Sequence, residues 1–222
     1  MGSISENLKS ILATLPLGVK LCAVSKTKPI SSIEEAYAAG QRIFGENRVK
    51  ELEDKATVLP KDIQWHLIGH LQSNKVKYIA PFVSMIHAVD DEELLAVIDK
   101  EAKKNNRVID CLIQLHIAQE ETKYGMSEEE AYEFFHLGNW KNYKNVRICG
   151  LMGMATFTDN EQQIRNEFTG LAKFYNRIKN EIMTDHDSFN QLSIGMSGDY
   201  LIAIESGSTL VRVGSAIFGE RN

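Results

Sequence analysis

With 222 residues the chain is long enough for one large domain or two small ones, and it can bury a substantial core without staples. Hydrophobic residues make up 43% and charged residues 25%, the balance of an ordinary globular protein rather than a disordered one. A net charge of −5 offers no basic footprint for nucleic acid, and no apolar run reaches the roughly 18 residues that would span a membrane.

Taken in chain order, the N-terminal stretch mixes acidic and basic residues with apolar ones at helical spacing over 4–15. It is therefore no secretory leader, and residues 1–17 are expected to form an extra helix packed on the body of the fold. Short apolar runs follow at 19–24, 42–45, 64–68, 83–89, 108–117, 146–152, 191–194 and 210–213. Several are rich in Val, Ile and Leu with little polar alternation, as in parallel strands covered on both faces. Helices alternate with them. Ser31-Ser32-Ile33-Glu34-Glu35 reads as a capped start with Gly40 as its stop. Asp91-Glu92-Glu93 opens a helix over 94–104 that ends in Lys103 and Lys104, the charge order that a helix dipole favours. Ser127 opens another, and Asp159 precedes a long one running to about Lys179. No linker, repeat or low-complexity stretch divides the chain. Eight strands alternating with helices predict one (β/α)8 TIM barrel, a single α/β domain over 1–222. An open doubly wound sheet is the runner-up, weakened by the lack of a Gly-rich dinucleotide fingerprint or phosphate loop after any strand.

Reactive groups in such a barrel gather where strands end. Strand one runs into Ser25-Lys26-Thr27-Lys28-Pro29, and a lysine at the rim after a buried strand suits imine chemistry, because desolvation favours its free amine. The plainer reading is an ordinary exposed lysine, which Lys28 fits better. Strand seven closes as Ser193-Ile194-Gly195-Met196-Ser197-Gly198-Asp199 and strand eight as Arg212-Val213-Gly214-Ser215. Two Gly/Ser turns at that position favour a phosphate site over mere connection. Arg212 faces the interior if Val211 and Val213 face the helices, and it then needs an acceptor from a cofactor or a carboxylate. His66, His87 and His116 near three strand ends raise a rival metal-dependent hydrolase. No His-x-His pair or zinc-protease pattern supports it, so no metal is expected. Trp65, Trp140 and the Tyr132/Phe134/Phe135 group read as core, and Glu120-Glu121 as a solvated face. Cys22, Cys111 and Cys149 sit in apolar runs, which suits reduced core residues in a cytoplasmic protein.

Three longer segments carry a resemblance. Ala23-Val24-Ser25-Lys26-Thr27-Lys28-Pro29, Phe44-Gly45-Glu46-Asn47-Arg48-Val49-Lys50-Glu51 and Trp65-His66-Leu67-Ile68-Gly69-His70-Leu71-Gln72-Ser73-Asn74-Lys75 resemble the YggS/PROSC family. These are pyridoxal-phosphate homeostasis proteins, related to the barrel domain of alanine racemase. Gly150-Leu151-Met152-Gly153-Met154-Ala155 and residues 192–219 continue the match over nearly the whole chain. The resemblance implies a fold-type III barrel holding pyridoxal 5′-phosphate (PLP) as a Schiff base on Lys26. Ser193, Ser197, Gly214 and Ser215 match the phosphate cradle, Arg212 the arginine facing the pyridine nitrogen, and Asn47 and His66 pocket-lining positions. Two departures stand out: His116 replaces an expected asparagine, and Ser215 replaces the usual threonine while keeping a hydroxyl.

An arginine beside the ring nitrogen keeps that nitrogen unprotonated and makes the ring a weaker electron sink. Racemisation further needs a second acid/base, which alanine racemase supplies as a tyrosine through a C-terminal β-domain and dimerisation. The chain ends at Asn222, about where strand eight and its helix finish, so that domain is expected to be lacking. A protein that holds, buffers or delivers PLP is therefore favoured over a low-activity PLP-dependent racemase. PLP-dependent apoenzymes are the expected recipients, and the absence of a long apolar stripe favours a monomer.

Overall fold

A computed structural model describes residues 2–120 and 124–220. The eight strands are β1 Lys20–Val24, β2 Ile43–Glu46, β3 Gln64–Leu67, β4 Met85–Val89, β5 Ile109–Gln114, β6 Val146–Met152, β7 Gln191–Ser193 and β8 Leu210–Val213. All pair in parallel in chain order, and β1 pairs with β8 to close the barrel. The expected (β/α)8 architecture is observed and the open sheet is not.

The helices are α1 Ile4–Thr14, α2 Ile30–Ala38, α3 Val49–Val58, α4 Val76–Ile79, α5 Glu92–Lys104, α6 Glu128–Leu137, α7 Glu161–Glu181, α8 Tyr200–Glu205 and α9 Ser215–Phe218. Their ends follow from local chemistry. In α6, Ser127 accepts from the Glu130 N–H while the Glu130 carboxylate accepts from the Ser127 N–H, a reciprocal cap. Asp91 caps α5 by accepting from the Leu94 N–H. The start of α2 differs from the sequence reading. Pro29 precedes its first residue and no side chain caps it, so Ser31 and Ser32 lie inside the first turn. Proline's fixed φ organises that entry without a hydroxyl. α1 packs Leu8 and Ile11 inward, and the Asn7 Nδ2 donates to the Ile217 carbonyl of α9 at 3.0 Å, bringing the two ends of the chain together.

The core has two parts. A large layer between strands and helices holds Phe44, Trp65, Phe135, Phe168, Val211 and Val213, whereas a small one inside the barrel is built on Cys22, Met85, Leu112, Cys149, Met152 and Leu210. The three cysteines are buried and unbridged. Gly150 in β6 has φ +151°, and a Cβ there would lie 1.7 Å from the Gln191 carbonyl oxygen of β7, so only glycine allows this pairing. Between β8 and β1, the turn at Gly214 packs so closely that a Cβ on it would stand 3.1 Å from the Val24 carbonyl oxygen. That approach sets the last turn of the barrel against the residues that lead into Lys26. Among the described residues, no helix is long and apolar enough to cross a membrane. Glu121 lies outside the described residues.

Candidate functional site: the C-terminal rim and the polar barrel interior

The residues singled out from the sequence fall into two tiers. Lys26, Asn47, Ser197, Gly214 and Ser215 lie at or beyond the C-terminal ends of β1, β2, β7 and β8, staves that are consecutive around the closed barrel in the order β7, β8, β1, β2. Lys26 is half-buried and follows the last residue of β1 by two. The two turns after β7 and β8 are tied together, since the Gly214 N–H donates to the Ser197 Oγ at 3.0 Å. Gly195, with φ +95°, turns the chain out of β7, and a Cβ on it would meet Ala203 and Tyr200 of α8 at under 3 Å. Asn47 is partly buried, and its Oδ1 is sealed from solvent with no hydrogen-bond partner. A buried amide oxygen left unpaired in the chain itself marks a position where a ligand hydroxyl or amine would complete the bonding.

The second tier lies inside the barrel. Arg212 is 3% exposed and pairs in register with Cys22. Its Nη1 donates to the Ser193 carbonyl and to the Ser193 Oγ, both at 2.7 Å, and its Nη2 donates to the Gly153 carbonyl at 3.0 Å. The acceptor demanded by burial is thus supplied by two carbonyls and a hydroxyl. Burial pushes Arg212 down to about 10, partly offset by Cys22 and Asp199, so it remains cationic at neutral pH.

Ser193, the last residue of β7, does more than end a strand. Its Oγ also meets the His87 Nδ1 at 3.1 Å, and the His87 Nε2 meets the His66 Nδ1 at 2.9 Å. An arginine only donates, so Ser193 accepts from Arg212. The polarity in which each hydrogen finds an acceptor then passes from Ser193 to His87 and from His87 to His66. This assignment leaves His66 with its proton on Nε2. The Ser193 hydroxyl is therefore committed to Arg212 and His87 rather than turned to the rim, and His66 is braced inside the barrel. His116 does not join the other two histidines, because its Nε2 is bonded to the Glu120 carbonyl at 2.8 Å. Among the described residues, no group of three His, Cys, Asp or Glu side chains is placed to hold a metal.

Burial lowers His66 to about 3, with Lys20 adding repulsion, and burial lowers His87 well below its ordinary value, with His66 and Arg212 adding to it. Both rings are neutral at pH 7. In the unfolded chain a histidine takes up its proton near pH 6.5, so the unfolded state binds more protons than the folded one below that value. Stability is then full above about pH 6.5 and falls as pH drops towards 3. The slope is up to about 1.4 kcal/mol per pH unit for each such histidine. Urea unfolding at pH 7 and pH 5 is expected to show this fall, and His66→Asn is expected to flatten it. An equal fall in that variant would contradict a neutral, buried His66.

Sequence reasoning missed Glu46 and Lys55. Glu46 ends β2 with its side chain wholly buried, and Lys55 of α3 is 5% exposed. The Lys55 Nζ lies 2.8 Å from the Glu46 Oε1 and 2.7 Å from the Glu51 Oε1. Only the spacing of Glu51 and Lys55, four apart on a helix with the acid first, was a readable sign of a pair.

Comparisons with known proteins show the family and the fold of the chain. The family model for the alanine racemase N-terminal domain matches residues 1–222. The chain is 40% identical to the pyridoxal phosphate homeostasis protein of Aquifex aeolicus over 203 residues, 91% of this chain and 87% of that one. It is 38% identical to the protein of the same name from Synechocystis over 95% of each. Among solved structures, PipY of Synechococcus elongatus with PLP bound is 34% identical, with a TM-score of 0.88 over 98% of this chain and 100% of that chain. An alanine racemase from Bartonella henselae shares the fold at 16% identity and a TM-score of 0.73, and the match covers 58% of that enzyme. With matches this extensive, the chain belongs to the alanine racemase N-terminal domain family and, within it, to the pyridoxal phosphate homeostasis proteins.

Proposed function

We propose that this protein holds pyridoxal 5′-phosphate on Lys26 as a Schiff base and buffers or delivers it in the cytoplasm, without turning over amino acids. The observation that carries this reading is the placement of Lys26 and two joined Gly/Ser turns on consecutive staves, at the rim of a barrel whose interior holds a buried arginine. Bound there, PLP would supply an aldehyde carbon to the Lys26 amine. The chain's own residues do the rest. The hydroxyls of Ser197 and Ser215 and the backbone around Gly214 hold the phosphate, and Asn47 offers its unpaired amide oxygen. Arg212 presents a cation to the pyridine nitrogen, where a second proton would be costly. Ser193, His87 and His66 hold Arg212 in place. Residues 1–222 act as one cofactor-binding domain and as a monomer, and PLP-dependent apoenzymes are the recipients.

The cofactor in the PipY structure and the near full-length match to the homeostasis proteins support this reading. The test is Cα proton exchange in deuterium oxide over a panel of amino acids. The loaded protein is expected to exchange no faster than free PLP, yet to restore an apo-aminotransferase when mixed with it. Exchange with inversion at an enzyme-like rate, on the order of 1 per second or more, would overturn the proposal.

A further inference from the structure

We propose that Glu46, Glu51 and Lys55 form a buried ionic brace that positions Lys26 from outside the barrel wall, by gripping the peptide units on either side of it. The inference rests on the reading of Lys26 as the cofactor lysine and assigns positioning residues to it.

The Lys55 ammonium has three hydrogens, and three acceptors take them: the Ser25 carbonyl at 2.8 Å, the Glu46 Oε1 at 2.8 Å and the Glu51 Oε1 at 2.7 Å. Ser25 is the residue before Lys26. Its hydroxyl also donates to the Glu46 Oε1 at 2.6 Å, and its N–H donates to the Gly45 carbonyl at 3.0 Å. Thr27 is the residue after, and its N–H donates to the Glu51 Oε1 at 2.5 Å. One ion cluster thus holds both neighbours of Lys26.

The backbone at Thr27 shows why a grip is needed. Its φ is +65°, a left-handed conformation that is costly for a β-branched residue and persists only where surrounding bonds enforce it. Gly45 faces inward, where a Cβ would meet the Cys22 Sγ, so Glu46 beside it points to the outer wall, where α3 packs. A buried lysine between two acids is a poor way to gain stability, since apolar residues of similar volume do as well. Its contribution is a fixed geometry. The charges also do not balance: one ammonium faces two carboxylates, and the Glu46 Oε2 is buried with no partner. Burial raises Glu46 above the ordinary carboxylate range, while the contacts to Lys55 and Ser25 pull it back.

Glu51 is the member that water reaches, its side chain being 23% exposed, so removing it leaves no isolated charge in the core. In the cofactor-free chain, Glu51→Ala is expected to speed hydrogen exchange at the Thr27 amide about tenfold and to leave the thermal midpoint nearly unchanged. Mixed with PLP, the same variant is expected to form its adduct at Lys26 about tenfold more slowly. Glu51→Gln keeps an acceptor for the Thr27 N–H and is expected to restore most of both losses, which a merely structural role in α3 would not require. A Thr27 amide as protected in Glu51→Ala as in the wild type, or an unaltered rate of adduct formation, would overturn the brace. The amide readout needs no cofactor. A loosened Thr27 in a protein whose wild type forms no adduct at Lys26 would therefore leave the loop brace standing, while removing both the functional reading and the positioning role.

Discussion

Lys26→Ala is expected to lose the visible absorption of the bound cofactor and any adduct trapped by borohydride, while still binding PLP weakly. The reasoning divides the site into two anchors. The covalent one is a single amine at the end of β1. The other is the pair of turns after β7 and β8, joined through Gly214 and Ser197, which the substitution leaves untouched. Removing the covalent anchor is expected to weaken binding by about 100-fold, equivalent to about 2.7 kcal/mol. Fluorescence titration of the variant with PLP measures the residual affinity. Retention of the full visible band would mean that another lysine carries the cofactor.

The second large effect concerns Arg212. Arg212→Met keeps much of the buried volume but removes the donors that satisfy the carbonyls of Ser193 and Gly153 and the Ser193 hydroxyl. The Ser193 carbonyl keeps the Gly153 N–H at 3.2 Å and the Ser193 Oγ keeps His87, so the loss falls first on the Gly153 carbonyl, at about 1–3 kcal/mol for a buried acceptor left alone. The chain also loses the donor that orders Ser193, His87 and His66. A total loss of about 2–4 kcal/mol is expected for the cofactor-free protein. For a chain of this size that lowers the thermal midpoint by about 5–15 °C. In the loaded protein, removal of the cation lets the pyridine nitrogen take a proton, so the visible spectrum becomes pH-dependent in a range where the wild type is flat. A midpoint and a spectrum both equal to those of the wild type would show that Arg212 neither braces the interior nor reaches the ring.

Much of the barrel was legible because parallel strands buried on both faces leave compact runs of Val, Ile and Leu, and all eight runs overlap the observed strands. The long helices were legible where side chains cap them, as at Asp91 and Ser127. α3 was harder. Its buried face includes Lys55 beside Val49, Leu52 and Ala56, and a charged residue on that face hides the apolar stripe. α4 and α9 have four residues each and α8 has six, too few for a helical period to emerge.

At the site, rim position was readable from where strands end, which is why Lys26 and the Gly/Ser turns stood out. The interior was not. His87 drew notice only as a metal candidate, yet both of its ring nitrogens are engaged, one by Ser193 and one by His66. Nothing in the local sequence says that β3, β4, β7 and β8 project His66, His87, Ser193 and Arg212 to one another across the barrel. That pairing is a property of closure and stagger rather than of any single strand. The brace on Lys26 escaped for a similar reason, since Ser25, Glu46 and Lys55 meet only when β1, β2 and α3 are packed.

The most direct measurement is to load the wild-type protein with PLP, reduce it with borohydride, and map the modified peptide by mass spectrometry. A single phosphopyridoxyl group on Lys26 is the predicted result. Modification at a different lysine, or none at all, would contradict the assignment from which the roles of the two turns and of Arg212 follow.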